Sequence, residues 1–320
     1  MSGPSPSCSI PTAETMGTGE GRDSLRSGVG RSKMRVMILG SSGFTGRHVR
    51  TLCERDETLE FVDSRSLGLD LMSADSILSA LSACRPDVVI NLAAISSPAE
   101  KDYRSLYEIN AFGVQRLVDA LKATGFAGRL IQASTANVYG SRTEWVSRES
   151  DPVDPVNHYA CSKWLAERVC GMAEGGFSIV LTRPFSCIGL GQAEHFLLPK
   201  IVRHFRERAP RLELGALDIR RDFVDIRDAA AVYHALITRS AVPDLVHICR
   251  NQTASIQEIL DTLAEIAGFR PEIAINPAFS RPNDLRFQQG DDTRLRRFGM
   301  SCTRTLHNTL AWMYAGDRSE

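Results

Sequence analysis

The chain has 320 residues, with Lys+Arg and Asp+Glu both 38 and a formal net charge of zero. That balance argues against a nucleic-acid protein, which carries a basic excess, while leaving room for a local basic site for a phosphate. Apolar residues make up 43% of the chain, enough for one large domain or a domain plus a lobe. The eight cysteines are scattered, with no CxxC pair and no His/Cys cluster at zinc spacing, so no metal site is read. They are expected to be reduced thiols of a cytoplasmic protein. No apolar run reaches the ~18 residues of a membrane span, and the N-terminus lacks the apolar core of a signal peptide.

Residues 1–33 are rich in Ser, Gly, Pro and Thr and read as a disordered leader. Order is expected from Met34. Arg35-Val36-Met37-Ile38-Leu39 has the form of a strand buried on both faces. It runs into Gly40-Ser41-Ser42-Gly43-Phe44-Thr45-Gly46, and a helix pattern begins at about Phe44. Strand, glycine turn and helix in succession suit a dinucleotide. The glycines let the backbone approach a pyrophosphate, and the helix N-terminus offers free N–H groups and a positive dipole end. The spacing is GxxGxxG rather than GxGxxG. Gly40, Gly43, Phe44, Thr45 and Gly46 are the candidate contacts.

The next strand is Leu59-Glu60-Phe61-Val62-Asp63. An acid at such a strand end accepts from the adenosine ribose hydroxyls. Asp63 fits that role, yet Arg65 follows and could pair with a 2′-phosphate. The turn leaves NAD(H) and NADP(H) both open, with Arg65 tilting the reading toward NADP(H). Asp70-Leu71 falls where an adenine ring would stack. Val88 to Ala94 reads as a third buried strand whose small end, Leu92-Ala93-Ala94, leaves room for a cofactor. A helix is expected from about Tyr107 to Thr124.

Leu130 to Thr135 is another strand ending in the hydroxyls of Ser134 and Thr135. A turn-forming loop, Asp151 to Pro155, leads into a helix carrying Tyr159-Ala160-Cys161-Ser162-Lys163. Residues four apart lie on one helix face, so the phenol and the ammonium can enter one pocket. A free Tyr titrates near pKa ~10, and a cation one turn away favours its phenolate. Lowering that value by about three units requires roughly 4 kcal/mol, part of which a bound oxidised nicotinamide could supply. Ile179 to Arg183 is the next strand, broken by Pro184. Buried strands alternating with helices imply an α/β fold, a doubly wound parallel sheet. Ligands of such sheets bind outside the strands' carboxyl ends, where the glycine turn, Ala93-Ala94, Thr135 and Pro184 all fall.

Later elements are less regular. Phe196 to Arg208 and Ile226 to Thr238 read as helices, with Arg220 to Asp225 as a loop-to-helix junction. Leu245 to Cys249 reads as a strand, Ser255 to Ala267 as a helix opened by a capping box. A loop begins at Arg281, and residues 304–314 form a last helix. Residues 34–185 are assigned to the dinucleotide-binding domain and 186–320 to a smaller substrate lobe, with part of 221–250 returning to the first domain.

Gly40-x-x-Gly43-x-x-Gly46, Asn91-Leu92-Ala93-Ala94, Ser134-Thr135-Ala136-Asn137-Val138-Tyr139-Gly140, Tyr159-x-x-x-Lys163, Arg183-Pro184-Phe185 and Arg221-Asp222-Phe223 stand together in this chain. The set resembles the extended short-chain dehydrogenase/reductase family, the nucleotide-sugar epimerases, dehydratases and reductases, over about residues 34 to 316. Within it the chain looks most like GDP-4-keto-6-deoxy-mannose reductases. Ser186-Cys187 and Leu190 depart from the Asn-His and Pro expected there.

The resemblance implies roles. Tyr159 exchanges the proton on the sugar O4, Lys163 holds the nicotinamide ribose and lowers the Tyr159 pKa, and Thr135 hydrogen-bonds O4 with Ser134 beside it. Arg221 and Arg281 would hold the diphosphate, as paired guanidinium donors suit phosphate. It implies reduction of a nucleotide-linked 4-keto-6-deoxy sugar, with a 4-epimerase holding tightly bound NAD and a non-catalytic cofactor-binding regulator as alternatives. Dehydratases of the family carry a carboxylate one or two positions after the hydroxyl residue; here stand Ala136 and Asn137. Helices near 107–124 and 158–173 would pair with their copies in a homodimer.

Overall fold

The computed structural model describes residues 32–96, 100–141, 144–279 and 285–316. The leader expected over 1–33 lies outside them apart from Ser32 and Lys33, and Arg281 lies outside them as well.

In chain order the first half runs β1 (Met34–Leu39), α1 (Phe44–Arg55), β2 (Leu59–Asp63), α2 (Ala74–Cys84), β3 (Val88–Asn91), α3 (Tyr103–Tyr107), a π-turn (Glu108–Phe112), α4 (Gly113–Ala123), β4 (Arg129–Ala133), a 3-10 turn (Ala136–Tyr139), β5 (Val146–Ser147), α5 (His158–Gly171) and β6 (Ser178–Pro184). The second half adds β7 (Ser186–Ile188), α6 (Leu197–Arg206), β8 (Arg211–Leu214), β9 (Arg220–Arg221), β10 (Phe223–Asp225), α7 (Ile226–Thr238), β11 (Leu245–Ile248), β12 (Ala254–Ser255), α8 (Ile256–Ala267), β13 (Glu272–Ile275), β14 (Phe287–Gly290), α9 (Thr293–Arg297) and α10 (Leu306–Ala315).

Six strands form the central sheet in the order β2-β1-β3-β4-β6-β11, every neighbouring pair parallel. Such strands are buried on both faces, which is why they read as near-continuous apolar runs. Alternate residues feed opposite cores. Val36, Ile38, Val88, Ile90 and Ile131 pack with Val49 of α1 and Val232, Tyr233 and Leu236 of α7. Met37, Leu39, Val89 and Leu130 pack with Ile77 of α2, Leu117 and Leu121 of α4, and Ala166 and Val169 of α5. Chain order reverses between β1 and β3, and the crevice at their carboxyl ends is where such sheets take ligands.

A third core gathers Ile201 and Phe205 of α6, Leu212 and Leu214 of β8, Ile259 and Leu263 of α8, and Leu310 of α10. Ser255 opens α8 with the capping box read from the sequence: its side chain accepts from Glu258 N at 3.1 Å, and Glu258 accepts from Ser255 N at 2.6 Å.

Three details differ from the sequence reading. The helix expected over 107–124 is α3, a π-turn and α4 in succession. The junction at 220–225 holds two short strands, β9 and β10, before α7 begins at Ile226. Pro184 is the last residue of β6, in register with Ile248 of β11; a proline fits there because it gives up no ladder donor inside the sheet.

Candidate active site

The site starts at the turn after β1. Gly40 has φ +78°, and a Cβ there would lie 2.7 Å from the Ala93 nitrogen, so the turn packs directly on Leu92-Ala93. A Cβ on Gly46 would lie 2.0 Å from the Gly40 carbonyl oxygen. Gly43 is the N-cap of α1 and Phe44 and Thr45 begin the helix, with no acidic side chain in its first turn. A glycine-bounded backbone turn at a helix N-terminus fits a dinucleotide diphosphate.

Asp63, at the end of β2, accepts from Ser41 Oγ at 2.9 Å and from Arg65 N at 3.2 Å. The strand end is thereby tied to the glycine turn. Arg65 is exposed beside it. Asp70 is exposed and accepts from Met72 N at 2.9 Å. Leu71 is buried in the core with α2 and α4, and its carbonyl accepts from Arg116 Nη1 at 3.1 Å. Leu92, Ala93 and Ala94 are half-buried along the crevice, as is Pro184.

At the end of β4, Ser134 and Thr135 are buried. Ser134 N donates to the Thr182 carbonyl at 2.7 Å, and its Oγ has no partner among the described residues. Thr135 caps the 3-10 turn: its Oγ1 accepts from Asn137 N at 3.2 Å. With that lone pair engaged, its hydroxyl proton stays available as a donor.

Asn157 caps α5 by accepting from Ala160 N at 2.9 Å, and the helix presents Tyr159 and Lys163 one turn apart. The Thr135 hydroxyl lies near enough to the Tyr159 phenol to favour its phenolate, and Lys163 follows Tyr159 one turn on along α5. One-turn spacing alone implies that Lys163 pulls the Tyr159 pKa down. In this structure burial is the larger effect and raises it, and the Thr135 contact is what works against burial. Burial also pushes Lys163 down, to about 8, with the Glu167 carboxylate opposing.

Several residues here had no role in the sequence reading. Asn110 sits in the π-turn, a distortion common at functional sites. Its Nδ2 donates to the Ile95 carbonyl at 2.9 Å and to Ser162 Oγ at 3.0 Å, joining the loop after β3 to the Tyr159 helix. Behind Lys163, Arg183 of β6 holds Glu167 with Nε–Oε1 at 2.9 Å and Nη2–Oε2 at 2.6 Å, both side chains buried. Arg183 Nη1 donates to the Tyr139 hydroxyl at 2.6 Å, which in turn meets His247 Nε2 at 2.5 Å. Burial, then Arg183, push His247 down to about 3, so the imidazole is neutral. Glu167 stands one turn past Lys163 in the sequence, and the reading of the residues gave it no role.

Arg221 of β9 is half-buried, and its Nη1 donates to the Arg220 carbonyl at 3.1 Å. Asp222 beside it is turned inward, accepting from Arg250 N at 2.9 Å and Gly290 N at 3.4 Å. Arg281 lies outside the described residues. Among the described residues no group of three His, Cys, Asp or Glu side chains could hold a metal, and no helix is long and apolar enough to cross a membrane.

The model of the NAD dependent epimerase/dehydratase family matches residues 36–249, from β1 to the end of β11. The chain belongs to this family. The GDP-6-deoxy-D-mannose reductase of Pseudomonas aeruginosa is 32% identical over 291 residues, covering 87% of this chain and 91% of that protein. The GDP-6-deoxy-D-talose 4-dehydrogenase of Aggregatibacter actinomycetemcomitans is 31% identical over 264 residues, 82% of this chain and 90% of that protein. Among solved structures, RMD from Pseudomonas aeruginosa complexed with NADPH superposes with a TM-score of 0.79 at 29% identity, covering 89% of this chain and 98% of that one. The match to this family spans the glycine turn, Thr135, Tyr159 and Lys163 alike.

The Lys163 environment makes a checkable statement about stability. Below pH ~8 both folded and unfolded chains hold the Lys163 proton, and its burial costs the fold roughly 3 kcal/mol. Between pH ~8 and ~10.5 the unfolded chain keeps the proton while the folded one releases it, so stability rises with pH. Urea unfolding of the cofactor-free enzyme from pH 7 to 10 should show wild type gaining on Lys163→Met by up to that amount. Parallel curves would mean Lys163 is not desolvated.

Proposed function

We propose that this enzyme uses NADPH to reduce the C4 keto group of a nucleotide-linked 4-keto-6-deoxy sugar, with a GDP-linked mannose derivative as the favoured substrate. The observation that carries the reading is the nearness of the Thr135 hydroxyl, just past the carboxyl end of β4, to the Tyr159 phenol on α5, with Lys163 one turn further along that helix. Two relatives at about this level of similarity are named for redox chemistry on GDP-linked 6-deoxy sugars.

When bound, the reduced nicotinamide supplies the hydride that C4 receives. Tyr159 gives its phenolic proton to the oxygen that becomes negative at C4. Burial keeps that phenol protonated, the state a reduction needs at the start. Thr135, already accepting from Asn137 N, turns its own proton to the same oxygen and stabilises the developing charge. Lys163 stands one turn along α5 as the cation of the site. Arg221, with Arg281, is assigned to the substrate diphosphate. Ala136 and Asn137 supply no acid beyond Tyr159, so the enzyme consumes a 4-keto-6-deoxy sugar and does not make one by dehydration.

Arg65 supports NADPH. Asp63 has one carboxylate oxygen engaged by Ser41 and the Arg65 N–H, while the Arg65 side chain is exposed at the rim where a 2′-phosphate would lie. The relative whose complex contains NADPH supports the same choice. Assembly is assigned to the α4–α5 face. Both helices pack on one side of the sheet; Trp164 of α5 and Phe112 of the π-turn before α4 are exposed at 37% and 51%, and Tyr103 of α3 stacks on His158 at 3.8 Å. A homodimer would cover these rings.

Three measurements bear on these assignments. With a GDP-linked 4-keto-6-deoxy sugar and NADPH, Tyr159→Phe is expected to lose turnover by about 10²–10⁴-fold while still binding cofactor; near-full activity in that variant would remove Tyr159 from the chemistry. Arg65→Ala should weaken NADPH binding and leave NADH binding as it was, and an unchanged ratio of the two affinities would take Arg65 out of the argument. Light scattering at micromolar concentration should give the mass of two chains, and a monomer mass would contradict the assignment of the α4–α5 face.

A further inference from the structure

Asn137 follows Thr135 by two residues in the same 3-10 turn, and its N–H donates to Thr135 Oγ1 at 3.2 Å. The turn that places the Thr135 hydroxyl therefore places the Asn137 carboxamide as well. Gln288 Nε2 donates to Asn137 Oδ1 at 2.9 Å, across a sequence separation of 151 residues. Gln288 is 7% exposed and lies on β14, in register with Arg221 of β9. Its carbonyl accepts from Asp222 N at 2.8 Å, so its backbone is fixed by the strand that carries Arg221.

A carboxamide has one accepting end and one donating end. Gln288 occupies the accepting end of Asn137. Its Nδ2 has no hydrogen-bond partner among the described residues, on a half-buried side chain two residues after Thr135. A carboxamide does not exchange protons in the useful pH range, so this group recognises and does not catalyse proton transfer.

We propose that Asn137, oriented by Gln288, is a sugar-recognising residue whose Nδ2 donates to an oxygen on the sugar ring beside the carbon undergoing reduction. The inference rests on the reading of Thr135, Tyr159 and Lys163 as a nucleotide-sugar site. Gln288 is a positioning residue: it touches Asn137 and not the sugar. Because β14 also pairs with β9, one strand sets both the Asn137 donor and the backbone of Arg221, so sugar and diphosphate are held in a common frame.

Calorimetric titration of the full chain with GDP and with GDP-mannose separates the sugar from the nucleotide. GDP reports the base and diphosphate; the additional affinity for GDP-mannose reports the sugar. Asn137→Ala is expected to lose about three- to tenfold in GDP-mannose affinity, the worth of one hydrogen bond between neutral groups, with GDP affinity unchanged. Gln288→Glu can only accept; it draws Nδ2 back toward β14, turns Oδ1 to the sugar, and should show the same sugar-specific loss. Gln288→Met, which removes the hold without reversing it, should lose less. A purely structural role for Gln288 would lower GDP and GDP-mannose affinities together. Asn137→Ser replaces Asn137→Ala if that variant melts early.

Unchanged GDP-mannose affinity in Asn137→Ala and Gln288→Glu overturns this inference and leaves the reductase reading standing. A sugar-specific loss in both variants, in an enzyme that turns over no 4-keto sugar, supports the inference and overturns the reductase reading. Wild-type protein that binds GDP-mannose no better than GDP, or binds neither, overturns both.

Discussion

Arg183 and Glu167 pair in the interior, and the position of the Tyr159 helix depends on them. Taking two ions out of water costs several kcal/mol each, and only good geometry offsets it. Here the guanidinium meets the carboxylate with two short parallel bonds, and its remaining nitrogen reaches the Tyr139 hydroxyl. Tyr139 belongs to the turn that starts at Thr135, and its other partner, His247, belongs to β11. One charged pair thus sets the register of four elements: α5 with Tyr159 and Lys163, β6, the Thr135 turn, and β11. Removing either partner would strand a buried charge, a loss of about 3–5 kcal/mol.

The same burial decides the proton inventory of the site. Desolvation disfavours whichever form is charged, so it raises a phenol and lowers an ammonium. Tyr159 and Lys163 move in these opposite directions, and both toward neutrality. The spacing puts the two groups one turn apart on α5, but spacing alone does not set the phenol's pKa where burial raises it. The Thr135 hydroxyl is the group that favours the phenolate in the free enzyme. Burial thus holds the phenol protonated, and the Thr135 hydroxyl offsets part of that effect.

The central sheet was legible because its chemistry is repetitive. Val36–Leu39 and Val88–Ile90 are buried on both faces, and such runs have no other common home. Strand ends locate the crevice, so Gly40, Ala93, Thr135 and Pro184 followed from the same pattern. The α8 start was legible for a local reason, the Ser255–Glu258 reciprocal cap. What was not legible is contact between distant stretches. β5, β9 and β12 are two residues each and pair through backbone alone, leaving no periodicity to read. The π-turn at Glu108–Phe112 keeps a helical hydrophobic pattern while shifting its hydrogen bonds, so Asn110 looked like an ordinary helix residue. The Gln288–Asn137 bond joins residues whose only shared property is a place in space.

The glycine turn shows how local and distant constraints combine at the cofactor end. Gly40 must lack a side chain because β3's exit passes under it, and Gly46 because α1 lies against the turn's own carbonyl. Those are packing demands, and they hold whether or not a phosphate is bound. Between them, Ser41 is the residue with a side chain turned to use, donating to Asp63 across 22 positions. That bond makes the glycine turn and the end of β2 one unit. It also removes part of the carboxylate's capacity to accept from a ribose hydroxyl, and sets it against the backbone that Arg65 continues. Cofactor choice at this rim is then a contest between a half-engaged acid and an exposed guanidinium, settled by which of them the 2′ position of the nucleotide meets.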